Sequence, residues 1–512
     1  MIAVIHNRRR FLRYALTTAG AAAGAAAASA ASPPWLSLAE AAAQAGQAVP
    51  PPERLVRVRG RVRAGNRGVP RVAISDGIAV TVTDRDGHFE LAAPPDAFIR
   101  CSVPGDHEIA TSPAGTARLY QPVATAKKDV SMLFELQPRR DSAEQHQFLV
   151  LADPQTQTRA ETGYFNDETV PDVQALLKSR AGIPTFGVGC GDMMWDDLAL
   201  FPEYERGVTA MGVPFFQVIG NHDLDLLARS DEGSCKTFLD RFGPTYYSFN
   251  VGAIHYVVLD DVMWHGSGYI GYVDETQLKW LEADLAQIER GRTVVVFTHI
   301  PLLCTQHRRL KQSAPSVSQV VTNRLAIYRL LEGYKAHVMT GHTHENEHVF
   351  EQGVHEHIHG AVCGAWWTGP VCMDGTPKGY GVYDVRGEEL RWHYKATGQP
   401  STHQMRIYAP GSDPRQAGVL IANVWNWDPK WQVVWYEDGQ QQPPMEQYTA
   451  QDPMSVGLYG GPSLPSTRQW VEPMATNHLF RCTPAPTARE VRIEAIDPFG
   501  GRYTETWRAG TA

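Results

Sequence analysis

The sequence has few cysteines, no excess of basic residues and no long hydrophobic run beyond its N-terminus. Its seven cysteines form no Cys-x-x-Cys pair, so neither a zinc ribbon nor a disulfide framework is indicated. Lysine and arginine number 47 against 55 acidic residues, a formal charge of −8, which argues against nucleic-acid binding as the main activity. Glycine (45) and proline (35) are too infrequent in 512 residues for a collagen-like or disordered chain. The length therefore predicts roughly three globular domains.

Positive charge and small apolar residues are concentrated at the N-terminus. A run of three arginines at 8–10 precedes a weakly hydrophobic, alanine-rich stretch at 11–31. This order resembles a twin-arginine signal peptide, which we assign to residues 1–32. A transmembrane anchor is the alternative, but alanine contributes little apolar area and no later run reaches about 18 apolar residues. We therefore expect export by the twin-arginine machinery to the periplasm or the cell exterior, without a stable membrane span.

Composition divides the rest of the chain into a linker and three domains. Valine and arginine alternate after Leu55, which predicts a half-buried strand with a solvated arginine face. In the middle of the chain, short buried strands alternate with helical stretches, and one helix is predicted from Asp274 with apolar residues at helical spacing up to Ile288. The predicted segments are an Ala/Pro-rich linker at 33–54, a β-sandwich at 55–140, an α/β domain at 145–397 and a β-rich domain at 400–512.

Five short polar motifs each follow a predicted strand of the α/β domain. Sheets of this class place their ligands at the carboxyl ends of their strands. Aspartate and asparagine oxygens suit hard divalent metals and imidazole suits borderline ones, so the mixed set could hold two ions. One such motif alone would be a turn or a loop histidine, whereas five in order indicate a metal centre. The motifs are Asp153-Pro154-Gln155, Gly191-Asp192, Gly220-Asn221-His222-Asp223, Thr298-His299-Ile300-Pro301 and Gly341-His342-Thr343-His344.

The ordered motifs resemble those of the calcineurin-like metallophosphoesterase superfamily over about 250 residues. The flanking β-rich domains, with the segments 363–369 and 374–380, are similar to an exported bacterial subgroup that has N- and C-terminal phosphoesterase domains. The resemblance implies an α/β catalytic domain, a four-layer αββα sandwich, between two β-rich domains. It also implies a hydrolase for a small-molecule phosphate ester, with in-line attack by a metal-bridging hydroxide.

Carried over residue by residue, the resemblance implies two divalent metal ions. It assigns Asp153, Gln155 and His344 to one ion, Asp192 as a bridge, and Asn221, His299 and His342 to the second ion. Most members have histidine where this chain has Gln155, and an amide oxygen favours Mn²⁺, Fe²⁺ or Mg²⁺ over Zn²⁺. Gln155 is also the sole sequence support for an alternative function, a catalytically weakened protein that binds glycan or protein through its β domains.

His222 is implied to face the substrate and to stabilise or protonate the leaving oxygen, because imidazole titrates near working pH. Asp223 has two interpretations: it raises the pKa of His222 and orients its ring, or it caps a following helix. The neighbouring acidic pair Asp260-Asp261 is interpreted as structural or supporting. Phosphomonoester, phosphodiester and pyrophosphate substrates all stay open, because the ligand set acts on the phosphoryl group that they share.

Three further clusters have both a structural and a functional interpretation. Trp366, Trp367 and Tyr380 lie in glycine-rich loops and are predicted to stack on the organic part of a substrate. Four histidines lie at 348, 355, 357 and 359. Their spacing favours a β-hairpin that continues the sheet; the alternatives are that they support the metal ligands or form a third metal site. Four tryptophans between 425 and 435 favour a packed aromatic core over a carbohydrate platform.

Overall fold

The computed structural model describes residues 55–123 and 129–510. The predicted signal peptide at 1–32 and the linker at 33–54 lie outside the described residues. Within the described ranges, no helix is long and apolar enough to cross a membrane. All seven cysteines fall inside these ranges, and each is buried as a free thiol.

Two four-stranded sheets form the N-terminal part of the described chain, in the orders β2-β1-β5, with β8 also beside β1, and β4-β3-β6-β7. The valines of β1 are buried, whereas Arg57 and Arg59 lie 2.5 Å and 3.2 Å from the carboxylate of Glu90. The solvated arginine face is therefore confirmed. The strands are β1 Val56–Ala64, β2 Arg67–Gly68, β3 Ala73–Ser75, β4 Val80–Val82, β5 His88–Ala93, β6 Phe98–Cys101, β7 Tyr120–Pro122 and β8 Asp129–Glu135.

Two larger sheets pack face to face in the middle of the chain. The first has the order β11-β10-β9-β20-β21 and the second the order β12-β13-β16-β17-β19-β18. Between them Phe148 makes edge contacts with Tyr256 and Phe297, with ring centroids 5.6 Å and 5.8 Å away. The strands are β9 Gln145–Leu151, β10 Thr185–Cys190, β11 Phe215–Val218, β12 Tyr247–Val251, β13 Ile254–Val258, β14 Val262–Trp264, β15 Tyr269–Gly271, β16 Thr293–Phe297, β17 Lys335–Thr340, β18 Glu347–Glu351, β19 Val354–Ile358, β20 Gly379–Arg386 and β21 Glu389–Ala396.

Helices cover the outer faces of both sheets, which completes four αββα layers and matches the predicted fold class. The helix at Asp274 begins as predicted, since that carboxylate accepts hydrogen bonds from the N–H groups of Thr276 and Gln277. It ends at Leu285, so the predicted extension to Ile288 is wrong: Ile288 N–H bonds to the Leu285 carbonyl in a turn. The helices are α1 Arg159–Tyr164, α2 Val170–Ser179, α3 Phe201–Met211, α4 Asp231–Ser234, α5 Lys236–Phe242, α6 Glu275–Leu285, α7 Gln306–Arg309, α8 Arg324–Leu331 and α9 Pro453–Tyr459.

The C-terminal part is a second pair of four-stranded sheets, in the orders β22-β23-β27-β26 and β25-β24-β28-β29. Trp425, Trp431 and Trp435 are at most 7% exposed, which confirms the predicted aromatic core, and Trp427 is partly buried beside them. The strands are β22 Arg406–Tyr408, β23 Leu420–Asn423, β24 Gln432–Glu437, β25 Gln440–Gln441, β26 Glu446–Gln451, β27 Ala475–Cys482, β28 Glu490–Ile496 and β29 Arg502–Arg508.

The stability of the central domain depends on the apolar layers beside β9. Leu149 is 0% exposed, whereas Leu227 is 99% exposed. We expect Leu149→Ala to lower the free energy of unfolding by about 2–5 kcal/mol, because it leaves a cavity in a close-packed layer. The matched Leu227→Ala change deletes the same atoms from a side chain that lies in solvent. It should alter the free energy of unfolding by less than about 0.5 kcal/mol. Urea unfolding followed by fluorescence tests this; equal effects of the two changes would contradict it.

Candidate metal centre

The five motifs converge where β9, β10, β11, β16 and β17 end. Glycines permit this approach, because the chain segments lie too close for a side chain. A Cβ atom on Gly220 would lie 2.1 Å from the backbone nitrogen of Asp192, and one on Gly341 would lie 2.5 Å from the Asp153 carboxylate. The glycine that precedes a ligand in each of these motifs therefore brings neighbouring strand ends together.

Most of the implied ligands have a backbone conformation that L-residues rarely adopt. Such left-handed backbone costs free energy in a non-glycine residue and is concentrated at functional sites. Five of the seven implied ligands have positive φ angles: Asp153 (51°), Gln155 (39°), Asp192 (49°), His342 (68°) and His344 (52°). The strain indicates that the surrounding structure fixes these side chains in place for a purpose other than stability.

Asp192, His299 and His342 form the tightest group in the site. One ligand atom from each of the three lies within 4.8 Å of the other two. Nε2 of His299 is 3.3 Å from Asp192 Oδ1, 3.2 Å from Asn221 Oδ1 and 3.2 Å from Nδ1 of His342. The structure thus brings together the four residues that the sequence assigned to the bridge and the second ion.

Asp153, Gln155 and His344 lie beside this group. His344 Nε2 is 3.7 Å from Asp153 Oδ1, and the Gln155 amide donates to Asp192 Oδ2 over 3.2 Å. The amide oxygen Oε1 of Gln155 is buried and accepts no hydrogen bond from the described residues. A buried acceptor without a donor costs free energy, and a cation would satisfy it. The residues present therefore fit a pair of divalent ions.

Backbone carbonyls orient all three implied histidine ligands. The bonded pairs are His299 Nδ1 with Cys190 O at 3.0 Å, His342 Nε2 with Ser318 O at 2.8 Å, and His344 Nδ1 with Gly364 O at 2.9 Å. Because a carbonyl only accepts, each of these nitrogens carries a proton. The opposite nitrogen of each ring is therefore the one available to a metal ion: Nε2 of His299 and of His344 lies beside a carboxylate, and Nδ1 of His342 lies 3.2 Å from Nε2 of His299.

Burial and mutual charge perturb the ionisation of these groups. Burial raises the pKa of Asp153 to about 8 and lowers the pKa of His342 to about 3. Burial opposes protonation of His299, but the Asp192 carboxylate outweighs it and raises the pKa of His299 to about 10. A cation bound here would displace that proton, because a ligating imidazole must be neutral.

His222 lies at the edge of the group, and its side chain is 27% exposed. Its backbone N–H donates to Asp192 Oδ1 over 2.9 Å, and its ring Nδ1 is 2.7 Å from Asp196 Oδ1. Burial acts to lower the pKa of His222, but Asp192 and Asp196 outweigh it and raise that pKa. Asp196 thus fixes the orientation of the His222 ring and favours its protonated form.

The structure confirms one part of the interpretations of Asp223 and corrects the rest: its charge helps to raise the pKa of His222, but it does not orient that ring. Its carboxylate is 0% exposed and accepts hydrogen bonds from the backbone N–H groups of Met193, Met194 and Gly220. It neither bonds to the ring of His222 nor caps a following helix; it holds two of the motif loops together. Asp261 has a comparable structural role, because its carboxylate accepts hydrogen bonds from the backbone N–H groups of His299 and Ile300 at 3.1 Å and 3.3 Å.

Of the three aromatic residues predicted to stack on substrate, one lies against the site. Trp366 is half-buried and stacks on His344, with ring centroids 4.1 Å apart. Trp367 packs behind it, where its indole N–H donates to the Pro154 carbonyl over 2.9 Å. The prediction for Tyr380 is wrong: it lies in β20, is 0% exposed, and its hydroxyl donates to Asp172. Because Tyr380 is buried against the helix that carries Asp172, it cannot contact a ligand in the site.

Sequence reasoning missed the aromatic wall beside His222. Trp195 lies 5.8 Å from the His222 ring and 5.9 Å from Trp470, and Trp470 lies 4.7 Å from Trp366. The guanidinium of Arg468 is 4.5 Å from the Trp195 ring centre. These residues come from distant parts of the chain, so their spacing gave no signal; Trp195 and Asp196, a few residues after the second motif, were the nearest clue.

Three family models match the chain in order. They are described as N terminal of Calcineurin-like phosphoesterase (residues 56–139), Calcineurin-like phosphoesterase (146–346) and C terminal of Calcineurin-like phosphoesterase (356–503). The chain belongs to the calcineurin-like phosphoesterase family. Strands β20 and β21 complete a central sheet although they fall within the C-terminal match.

Named relatives match parts of the chain. Human Serine/threonine-protein phosphatase CPPED1 is 28% identical over 187 residues, which is 34% of this chain and 57% of that protein. Purple acid phosphatase 15 of Arabidopsis thaliana is 34% identical over 90 residues, 16% of each protein. The chain therefore spans about half the length of the CPPED1 relatives that it matches.

Solved structures of two phosphatases also resemble the chain. A dimetal phosphatase from Danio rerio is 16% identical, with a TM-score of 0.36, and the match covers 50% of this chain and 97% of that one. The purple acid phosphatase PPD1 from yellow lupin is 11% identical, with a TM-score of 0.37, and the match covers 67% of this chain and 72% of that one.

Adding a methyl group at Gly220 should weaken metal binding. A Cβ atom there would lie 2.3 Å from Asp192 Oδ1 as well as against its backbone, so Gly220→Ala must displace this carboxylate. We expect an affinity for Mn²⁺ about 10- to 100-fold weaker, the range found when groups that support a ligand are changed. The matched control is Gly163→Ala in α1, where a Cβ atom meets nothing within 4 Å. Calorimetric titration measures both, and an unchanged affinity in Gly220→Ala would contradict the expectation.

Proposed function

We propose that this protein is a metal-dependent phosphoesterase that hydrolyses a small-molecule phosphate ester. One observation carries the proposal: two buried carboxylates, two amides and three correctly oriented imidazoles converge at the strand ends, beside a partly exposed histidine. Family membership supports the same conclusion. Two divalent cations, when bound, would activate water and neutralise charge on the phosphoryl group.

The residues of this chain prepare the site for such a reaction. The N–H of His342 donates to both oxygens of Asp153, at 3.0 Å and 2.9 Å, which holds that carboxylate in place before any ligand arrives. The three backbone carbonyls fix the imidazole rings in the same way. Preorganised groups of this kind lower the barrier because they need no rearrangement during the reaction.

His222 is positioned to serve the leaving group. Asp192 and Asp196 favour a proton on its ring, and the partly exposed side chain lies beside Trp195, with ring centroids 5.8 Å apart. A departing alkoxide needs a proton, and imidazolium can supply one near neutral pH. Asp196, rather than Asp223, is therefore the residue that orients the ring.

The aromatic wall favours an ester with an organic group that can stack or pack against a ring. Trp195, Trp366 and Trp470 are half-buried and present faces or edges beside the metal centre. Arg468 is held between them by an ion pair with Glu161 at 2.7 Å. We infer from the amide oxygen of Gln155 that Mn²⁺, Fe²⁺ or Mg²⁺ suits the site better than Zn²⁺.

We also propose that the protein is exported. The support is the sequence at the N-terminus, where three arginines precede a weakly hydrophobic, alanine-rich stretch. A twin-arginine substrate crosses the membrane already folded, which suits a chain that needs an internal metal centre.

Activity and metal content separate the proposed roles of the site residues. Hydrolysis of a chromogenic phosphate ester should require added Mn²⁺, Mg²⁺ or Fe²⁺, and Asp192→Asn should abolish both metal retention and turnover. His222→Asn should keep its metal but lose about 10²- to 10⁴-fold in kcat, the usual contribution of a general acid. The exposed His88→Asn change is the control. Full activity in His222→Asn refutes its role, and absence of hydrolysis in the metal-loaded parent favours the binding-protein alternative.

Cell fractionation tests the export proposal. Replacing all three arginines by Arg8→Lys, Arg9→Lys and Arg10→Lys keeps the charge but should leave most of the protein in the cytoplasm, because the export machinery reads the arginine pair. The matched change Arg13→Lys should leave export intact. Equal distribution of the two variants between cytoplasm and periplasm would contradict the proposal.

A further inference from the structure

Three neighbouring strands of the second central sheet place four histidines on one face. The parallel register pairs His337 of β17 with His355 of β19, and the antiparallel register pairs His348 of β18 with His357 of β19. Because side chains alternate between faces of a strand, His355 and His357 point the same way. The β-hairpin predicted for this segment is confirmed, and His359 lies just beyond it, with its ring bonded to Tyr383 and Thr340.

The ring nitrogens of this cluster lie at the spacing of metal ligands. His337 Nδ1 is 3.0 Å from His357 Nε2. One ring nitrogen from each of His337, His355 and His357 lies within 4.8 Å of the other two. Two nitrogens bound to one tetrahedral zinc ion, at about 2.0–2.1 Å each, are roughly 3.3 Å apart. Small shifts of the rings would therefore suffice to close around an ion.

A buried nitrogen in the cluster lacks a hydrogen-bond partner. His357 is 1% exposed, and its Nδ1 has no partner among the described residues. The ring centroid of His357 lies 4.8 Å from that of Trp392 and 3.9 Å from that of His355. Adjacent imidazoles in an apolar wall are a costly way to fill space, since each brings two polar nitrogens that need partners.

The charge state of the cluster suits a cation. Burial lowers the pKa of His337 to about 4, and burial together with the neighbouring rings holds the pKa of His357 well below its ordinary value. Burial thus favours the neutral form of both rings, in which one nitrogen of each has a lone pair. Lys430 opposes a cation here, whereas the fully buried Asp428 carboxylate interacts favourably with His348.

A chain of hydrogen bonds positions His355. His348 links its Nδ1 to His355 and its Nε2 to the side-chain oxygen of Asn426, 3.0 Å away. Asn426 in turn accepts from the Asn346 amide over 3.3 Å. Histidines that bind metals are commonly held through their second nitrogen by such partners.

We propose that His337, His355 and His357 bind one divalent transition-metal ion of the zinc class, at a site separate from the motif centre. Three neutral imidazoles suit Zn²⁺, Cu²⁺ or Ni²⁺ better than Mg²⁺ or Mn²⁺. The two sites share no residue and differ in their donor atoms. An ion here ties β17 to β19, and β17 leads directly into the motif that contains His342 and His344.

Metal stoichiometry of the full chain tests this site. In an Asp192→Asn/His299→Ala background, which disables the motif centre, we expect one tightly held Zn²⁺ per chain by mass spectrometry of the dialysed protein. Adding His355→Gln and His357→Gln should remove that ion, whereas adding His359→Gln, the matched change one step along the same face, should retain it. Absence of zinc in the parent background, or its retention without the two histidines, overturns the proposal.

A second measurement avoids the substitutions, in case the His355→Gln/His357→Gln chain fails to fold. Crystals of the unmodified protein soaked in ZnCl₂ should show an anomalous peak at the zinc edge, about 2.0–2.1 Å from the three ring nitrogens. A map without a peak between these rings overturns the proposal, whether or not zinc occupies the motif centre.

Discussion

The buried carboxylate of Asp192 is the point on which the candidate centre depends. It contacts the amide of Gln155, the backbone of His222 and the ring of His299, so three of the other motifs touch it directly. An anion with so little solvent is stable only when donors or cations surround it. Gly220, which leaves room for this carboxylate, and the donors from three other motifs together enclose this one charge.

The C-terminal domain takes part in that enclosure. Asp374 accepts the backbone N–H of Asn346 at 2.8 Å and lies 3.1 Å from the ring of His478 in β27. Asn346 follows the last motif by two residues and also donates to the Trp425 carbonyl over 2.6 Å. The segment that carries His344 is therefore held from both sides, and the C-terminal sandwich supplies Trp470 and Arg468 to the opening. It is a structural part of the site.

Much of this architecture could be predicted from the sequence. The apolar runs that identify β9, β10 and β16 and the polar motifs that follow them are both local features of the sequence. The motif residues converge because parallel strands end at one edge of their sheet. What failed depends on side-chain direction and on distant contacts. Tyr380 was placed in a loop but lies in a strand. Asp223 turns toward backbone N–H groups, whereas Asp196, 26 residues before His222, reaches the ring of that histidine.

The seven free cysteines leave the described fold without disulfide bonds. All seven thiols are buried, and burial raises the pKa of each, for example to about 12 at Cys101 and Cys304, so little reactive thiolate is available. The native fold contains no covalent cross-link that an oxidising compartment would have to supply. The described fold therefore depends on packing and hydrogen bonds alone, without disulfide formation.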